Sequence, residues 1–161
     1  MRARLVILAA LLLLLTTPAL AAAQTTRDFE ATFRESFGRG NAPSGVGHVL
    51  GAQVTEVFTF VGFEETGDPQ CPVTTTGSTL FTWPDGSTLT TEEHYQVCFP
   101  GKARSAPGSE VSYGNPETTT GTFEIVEATG FLTGAFGSGD IKVRIAGDVI
   151  IIHYSGTVTF G

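Results

Sequence analysis

From about residue 28 onward, the apolar and polar positions of this chain recur with a period of two, and no segment carries a convincing 3.6-residue apolar period. The last stretch shows it best: Ile150, Ile152, Tyr154, Val158 and Phe160 share one face, and Ile151, His153, Ser155, Thr157 and Thr159 share the other. Threonine, valine, isoleucine and phenylalanine dominate between glycine and proline breaks, which is strand composition. Strands are expected at about 28–37, 46–63, 77–83, 87–99, 117–126, 131–146 and 148–160. The second and sixth are long and contain glycines. Gly51, Gly62, Gly134, Gly137 and Gly139 mark bulges or bends, so each long stretch is either one bent strand or two short ones.

The clearest turn signal is Trp83-Pro84-Asp85-Gly86-Ser87. A two-residue loop at Asp85-Gly86 would set Phe81 opposite Thr90. A three-residue loop over Pro84-Asp85-Gly86 pairs Trp83 with Ser87 and Phe81 with Leu89. The second register aligns Phe81 and Trp83 with Leu89, Tyr95, Val97 and Phe99 on one apolar face, and is therefore preferred. A second hairpin is expected at Ala146-Gly147-Asp148. The stretches 64–76 and 101–116 read as surface loops. An all-antiparallel chain with no helix must cover its sheet faces as a closed barrel or a sandwich. Periodicity alone leaves that choice open.

Composition changes the picture at the N-terminus. Arg2 and Arg4, the apolar run Leu5–Leu15, Pro18 and Ala19-Leu20-Ala21-Ala22-Ala23 have the layout of a secretory signal peptide, with cleavage expected after Ala23. The run of about 11 apolar residues falls short of the roughly 20 needed to span a bilayer. Residues 1–23 are thus assigned to targeting and 24–161 to one domain, with no stable membrane span after processing and a secreted or periplasmic destination. Removal of the leader takes the formal charge from -7 to -9. So acidic a chain, with lysine only at positions 102 and 142, lacks the basic stripe that nucleic acid requires. In an oxidising compartment Cys71 and Cys98 are expected to form a disulfide that pins the 64–76 loop to the far end of strand 87–99.

Residues Gly121-Thr122-Phe123-Glu124-Ile125 through Thr129-Gly130-Phe131 to Gly134-Ala135-Phe136-Gly137, with the final Ile152-His153-Tyr154-Ser155-Gly156-Thr157, resemble the allene oxide cyclase and dirigent superfamily, in particular its secreted bacterial branch. The match covers Gly121 to Gly161; the first half of the chain is only compatible with it. The resemblance implies an eight-stranded antiparallel barrel, often oligomeric, with an elongated apolar cavity, and it moves the balance toward the barrel. A homo-oligomer is one of its implications. Plant members cyclise a fatty-acid epoxide or steer coupling of phenoxy radicals. The chain departs from the dirigent type, which carries an arginine where this one has Phe136-Gly137. In the cyclases a first-strand glutamate assists catalysis, and Glu35 stands in a comparable place.

Three functions from different classes follow. The leading one is binding of a small apolar or aromatic molecule in the barrel, with Phe58, Phe60, Phe123 and Phe136 as candidate lining residues. The second is an isomerase or cyclase that steers a reactive substrate, which requires a buried acid such as Glu35 or Glu93. The third is an envelope or surface protein with a filled interior and no ligand. No cofactor is expected. His48, His94 and His153 lack metal-ligand spacing, so no metal is assigned. Glu92, His94 and Gln96 share a strand face opposite the apolar one and are expected in solvent. His153 and Ser155 lack a nucleophile elbow and read as structural. Gly137-Ser138-Gly139-Asp140 reads as a glycine-bent strand.

Overall fold

The computed structural model describes residues 24–36, 43–68, 70–98, 119–146 and 149–161. The expected leader, residues 1–23, and the whole 101–116 stretch lie outside these, as do Phe37, Phe99 and the residues Gly147 and Asp148 of the expected second hairpin. Eight strands follow in order: β1 Thr25–Ser36, β2 Ser44–Val49, β3 Ala52–Glu65, β4 Val73–Thr82, β5 Thr88–Val97, β6 Thr119–Ala128, β7 Phe136–Ala146 and β8 Val149–Phe160. Each pairs antiparallel with the next, and β1 closes on β8 from Thr25↔Phe160 to Ser36↔Val149. The sheet is a closed barrel. Closure leaves no free edge and decides against the sandwich. No helix among the described residues is long and apolar enough to cross a membrane.

The structure decides between the alternatives for the long stretches and corrects the expected 64–76 loop, of which residues 73–76 belong to β4. The stretch 46–63 is two strands, joined by the two-residue turn Leu50-Gly51 with φ of 50° and 81°. Both turn residues take positive φ, as a type I′ hairpin demands. Leucine rarely adopts that region, so the sequence carries no Asn-Gly or Asp-Gly flag there. The stretch 131–146 begins not as a strand but as a 3₁₀ turn, Gly130–Leu132, and β7 starts only at Phe136. That turn carries Leu132, fully buried, into the end of the barrel. The Trp83–Ser87 hairpin has the three-residue loop: Phe81 pairs with Leu89, and the Trp83 amide donates to the Ser87 carbonyl at 2.9 Å. The register of β3 and β4 shifts between Phe60 and Gly62, where a bend was expected.

The core fills the barrel. Phe29, Phe33, Phe81, Phe123 and Tyr154 pack mostly edge to face, with centroid separations of 5.3–6.5 Å. Such rings fit only where the neighbouring strand leaves room beside them. A Cβ on Gly139 would stand 2.7 Å from the Phe123 ring, and one on Gly47 would stand 2.7 Å from Phe33. The end carrying the β2–β3 and β4–β5 hairpins is plugged by Val49, Trp83, Leu89 and Leu132. The opposite end carries the β3–β4 connection, where Cys71 and Cys98 are joined by a disulfide. The expected tether of that loop to the end of β5 is therefore present.

Because this bridge spans 27 positions of sequence, loop-closure entropy assigns it about 3 kcal/mol. The Cys71→Ser/Cys98→Ser variant is expected to lose stability of that order in urea-induced unfolding. An unchanged midpoint would mean that the packing of β4 against β5 alone holds the loop.

Candidate functional site

Three glutamates point into the barrel. On β1 the inward series is Phe29, Ala31, Phe33, Glu35; on β3 it is Val54, Glu56, Phe58; on β5 it is Leu89, Thr91, Glu93, Tyr95. Strand alternation therefore carries each acid inside with its apolar neighbours. Glu35, Glu56 and Glu93 are 3%, 1% and 0% exposed, which makes them the least ordinary residues of the molecule.

Glu35 lies across from Gly45 on β2, and Gly45 lies across from Glu56 on β3. Gly45 carries no side chain between them, and a Cβ there would stand 2.9 Å from Glu56 Oε1. The missing side chain is what leaves both carboxyls room on one row of the wall.

Glu93 is served differently. The hydroxyls of Thr91 (2.8 Å) and Tyr154 (3.0 Å) donate to its Oε1, and that of Tyr95 donates to its Oε2. Thr79 stands 3.4 Å from the Tyr154 hydroxyl and extends the network. By contrast Glu35 Oε1 and both oxygens of Glu56 meet no donor from any other described residue, and the two carboxyls interact with each other.

Burial pushes the Glu35 carboxyl up to about 7, with the Glu93 charge adding to the effect. Burial first, then the charges of Glu35 and Glu93, push Glu56 up to about 9. Burial also raises the Tyr95 and Tyr154 hydroxyls well above the ordinary tyrosine range, so both stay protonated donors.

Glu35 forms part of the wall of a cavity of about 180 Å³ at the disulfide-bearing end of the barrel. Pro43, Phe58, Tyr95, Val143, Ile150 and Ile152 supply most of the rest, and the lining is overwhelmingly apolar. The cavity is smaller than the roughly 300 Å³ at which drug-sized sites begin. It suits a molecule with a compact apolar body.

The candidate residues divide as follows. Glu35 and Glu93 are both in the buried cluster, 35 at the cavity and 93 behind Tyr95. Phe58 lines the cavity, its ring 6.0 Å from Tyr95. Phe123 is buried in the aromatic core and does not line it. Phe60 sits opposite Gly77, the inward parity, yet is 55% exposed because β2 ends at Ser44, opposite Val57, and β3 runs on past it. Phe136 is half-exposed, one residue out of phase with the inward positions of β7. Neither Phe60 nor Phe136 lines the cavity. Glu92, His94 and Gln96 are exposed as expected. His153 lies on the outer wall with its Nε2 3.6 Å from Glu30 and its Nδ1 3.0 Å from the Thr32 hydroxyl. Among the described residues no group of three His, Cys, Asp or Glu side chains is placed to hold a metal ion.

Glu56 escaped notice in the sequence, although Val54-Thr55-Glu56-Val57-Phe58 places it in phase with two apolar residues. No family model, curated protein or solved structure matches this chain.

The raised carboxyl groups link stability to pH. Their folded-state values lie above the ordinary 4.5, so the native state holds more protons than the unfolded state from about pH 4.5 to 9. The stabilising contribution is full below 4.5 and is lost as pH rises through about 7 and then 9. Urea midpoints are expected to fall from pH 5 to pH 9. One pKa unit is worth about 1.4 kcal/mol, so Glu56→Gln should gain at least about 1 kcal/mol over the parent at pH 9 and little at pH 4.5. Parallel pH profiles for variant and parent would refute the linkage.

Proposed function

We propose that this barrel binds a small apolar or aromatic molecule at its disulfide-bearing end and that Glu35 meets the polar part of that molecule. The observation that carries this reading is the position of Glu35: a buried carboxyl with an open oxygen in the wall of an otherwise apolar cavity. Binding sites commonly combine such a lining with a few convergent polar groups. The eight-stranded barrel agrees with what the resemblance of residues 121–161 to the allene oxide cyclase and dirigent superfamily implies, and it supports the same reading. The disulfide is consistent with an exported protein.

The test is a titration with 2-phenylethanol followed by methyl NMR. Resonances of Val143, Ile150 and Ile152 are expected to shift, while those of Leu132 and Val158 near the plugged end stay in place. No shift at any of the three would sink the binding reading.

A second reading adds chemistry, and one observation favours it. Glu35 titrates near neutrality, where a carboxyl both takes and returns protons efficiently. The corresponding activity is isomerisation by proton transfer: Glu35 removes a proton from carbon beside a polarised group, and the same carboxylic acid returns one to a different atom. Incorporation of deuterium from D₂O into 1-phenylpropan-2-one is expected above the buffer rate at pH 7–8, and to vanish in Glu35→Gln. Equal rates for protein and buffer would remove the catalytic reading and leave binding intact.

A further inference from the structure

The cavity's acids also say what kind of polar group its occupant carries. The titratable side chains on the inner wall are Glu35 from β1, Glu56 from β3, Glu93 and Tyr95 from β5 and Tyr154 from β8. The inward positions of β2, β4, β6 and β7 contribute none: they are Gly45, Gly47 and Val49; Thr75, Gly77, Thr79 and Phe81; Thr119, Gly121, Phe123 and Ile125; and Gly137, Gly139, Ile141 and Val143. The basic residues Arg27, Arg34, Lys142 and Arg144 are all exposed. The interior thus holds three carboxyls and no cation among the described residues.

Two of those carboxyls lack what a buried acceptor needs. Glu93 is saturated by three hydroxyls, whereas Glu35 Oε1 and both Glu56 oxygens receive no hydrogen bond. A buried acceptor without a donor costs about 1–3 kcal/mol, more if charged. Raised to about 9, Glu56 keeps its proton at neutral pH, so the pair holds one O–H donor against four carboxyl oxygens and remains richer in acceptors than in donors. An anionic ligand would be repelled by an ionised Glu35. An ammonium group supplies three donors and a positive charge. The Phe58 and Tyr95 rings beside the cavity add faces that attract a cation.

Resting on the reading that the cavity binds a small apolar molecule, we infer that its occupant is an organic amine in the ammonium form, with a compact alkyl or aryl body against Phe58, Val143, Ile150 and Ile152 and its nitrogen on Glu35, the acid that lines the cavity, with Glu56 acting on Glu35 from across Gly45. Ionisation of the two acids accompanies binding, so protons are released. Affinity rises with pH as the acids ionise and falls again only when the amine itself loses its proton.

The experiment compares three probes of one shape by isothermal titration calorimetry and methyl NMR on the mature, disulfide-bonded chain: 2-phenylethylammonium, 2-phenylethanol and 3-phenylpropanoate. The ammonium is expected to bind at least ten-fold more tightly than the alcohol at pH 7.5, to release protons in buffers of differing ionisation enthalpy, and to weaken at pH 5.5. The carboxylate is expected not to bind. Glu35→Gln and Glu56→Gln should each erase most of the ammonium preference, with unchanged methyl resonances of Leu132 and Val158 at the plugged end reporting that the variants are folded. Equal binding of alcohol and ammonium would overturn the amine inference and leave the apolar-cavity reading standing. Tighter binding of the carboxylate would also overturn it. If none of the three binds, the cavity reading itself fails, and the inference with it.

Discussion

Everything in this molecule depends on the fixed room inside a closed eight-stranded wall. Closure of β1 on β8 removes the sheet edges, but it also sets the interior at little more than one layer of side chains. Five large rings share that space, so each must be answered by a recess. Gly47 answers Phe33, and Gly139 answers Phe123. A part of the glycine content of this chain is therefore complementary to its phenylalanines, each such glycine standing on the strand beside the ring it admits. Threonine completes the pattern on the outer face, where its branched side chain suits a strand and its hydroxyl suits water.

The same constraint explains how three acids come to lie inside. Gly45 opens the row between Glu35 and Glu56 just as the other glycines open rows for rings, but here the space holds carboxyls instead of carbon. Stability alone gives no reason for this choice. Apolar side chains of similar volume would fill the row without the cost of unpaired oxygens. The contrast with Glu93 is informative, since the fold supplies that residue with Thr91, Tyr95 and Tyr154. The wall thus satisfies one acid with three hydroxyls and leaves Glu35, in the wall of the cavity, with an oxygen that no hydroxyl serves.

Most of the fold was legible because the sequence states its faces plainly. The register at Trp83–Ser87 followed from one coherent apolar face, and that face correctly put Glu92, His94 and Gln96 in solvent. The split between β2 and β3 was offered at Gly51 as one of two alternatives, and the choice was not legible because Leu50 adopts a conformation its side chain disfavours. The 3₁₀ turn at Gly130–Leu132 was hidden for a related reason: Phe131 and Leu132 look like the start of an apolar strand, but only Leu132 goes inside. At the site, Glu35 was found through resemblance and Glu93 was named as a buried acid that an isomerase or cyclase would require. Glu56 obeys the same parity and was within reach of the same reasoning. What parity cannot show is which inward acids meet across a barrel, since that depends on strand register around the whole wall. Phe60 marks the other limit: its parity is inward, but parity does not report that the neighbouring strand has already ended.

The two ends of the barrel express opposite uses of one core. At the hairpin end, Val49, Trp83, Leu89 and Leu132 close the interior with carbon, and the adjacent turn is fastened by a 2.7 Å contact between the Thr88 and Thr129 hydroxyls. At the other end, the disulfide holds the β3–β4 loop to β5. A covalent tie is useful there because the local interior cannot supply equivalent cohesion: it contains a cavity and two unpaired carboxyls where packed side chains would otherwise be. Cross-linking stabilises mainly by restricting the unfolded chain, so it asks nothing of the space inside. A barrel with a cavity at one end must draw its stability from elements that do not occupy that end. The packed aromatic core and the Cys71–Cys98 bridge are the two that do so here.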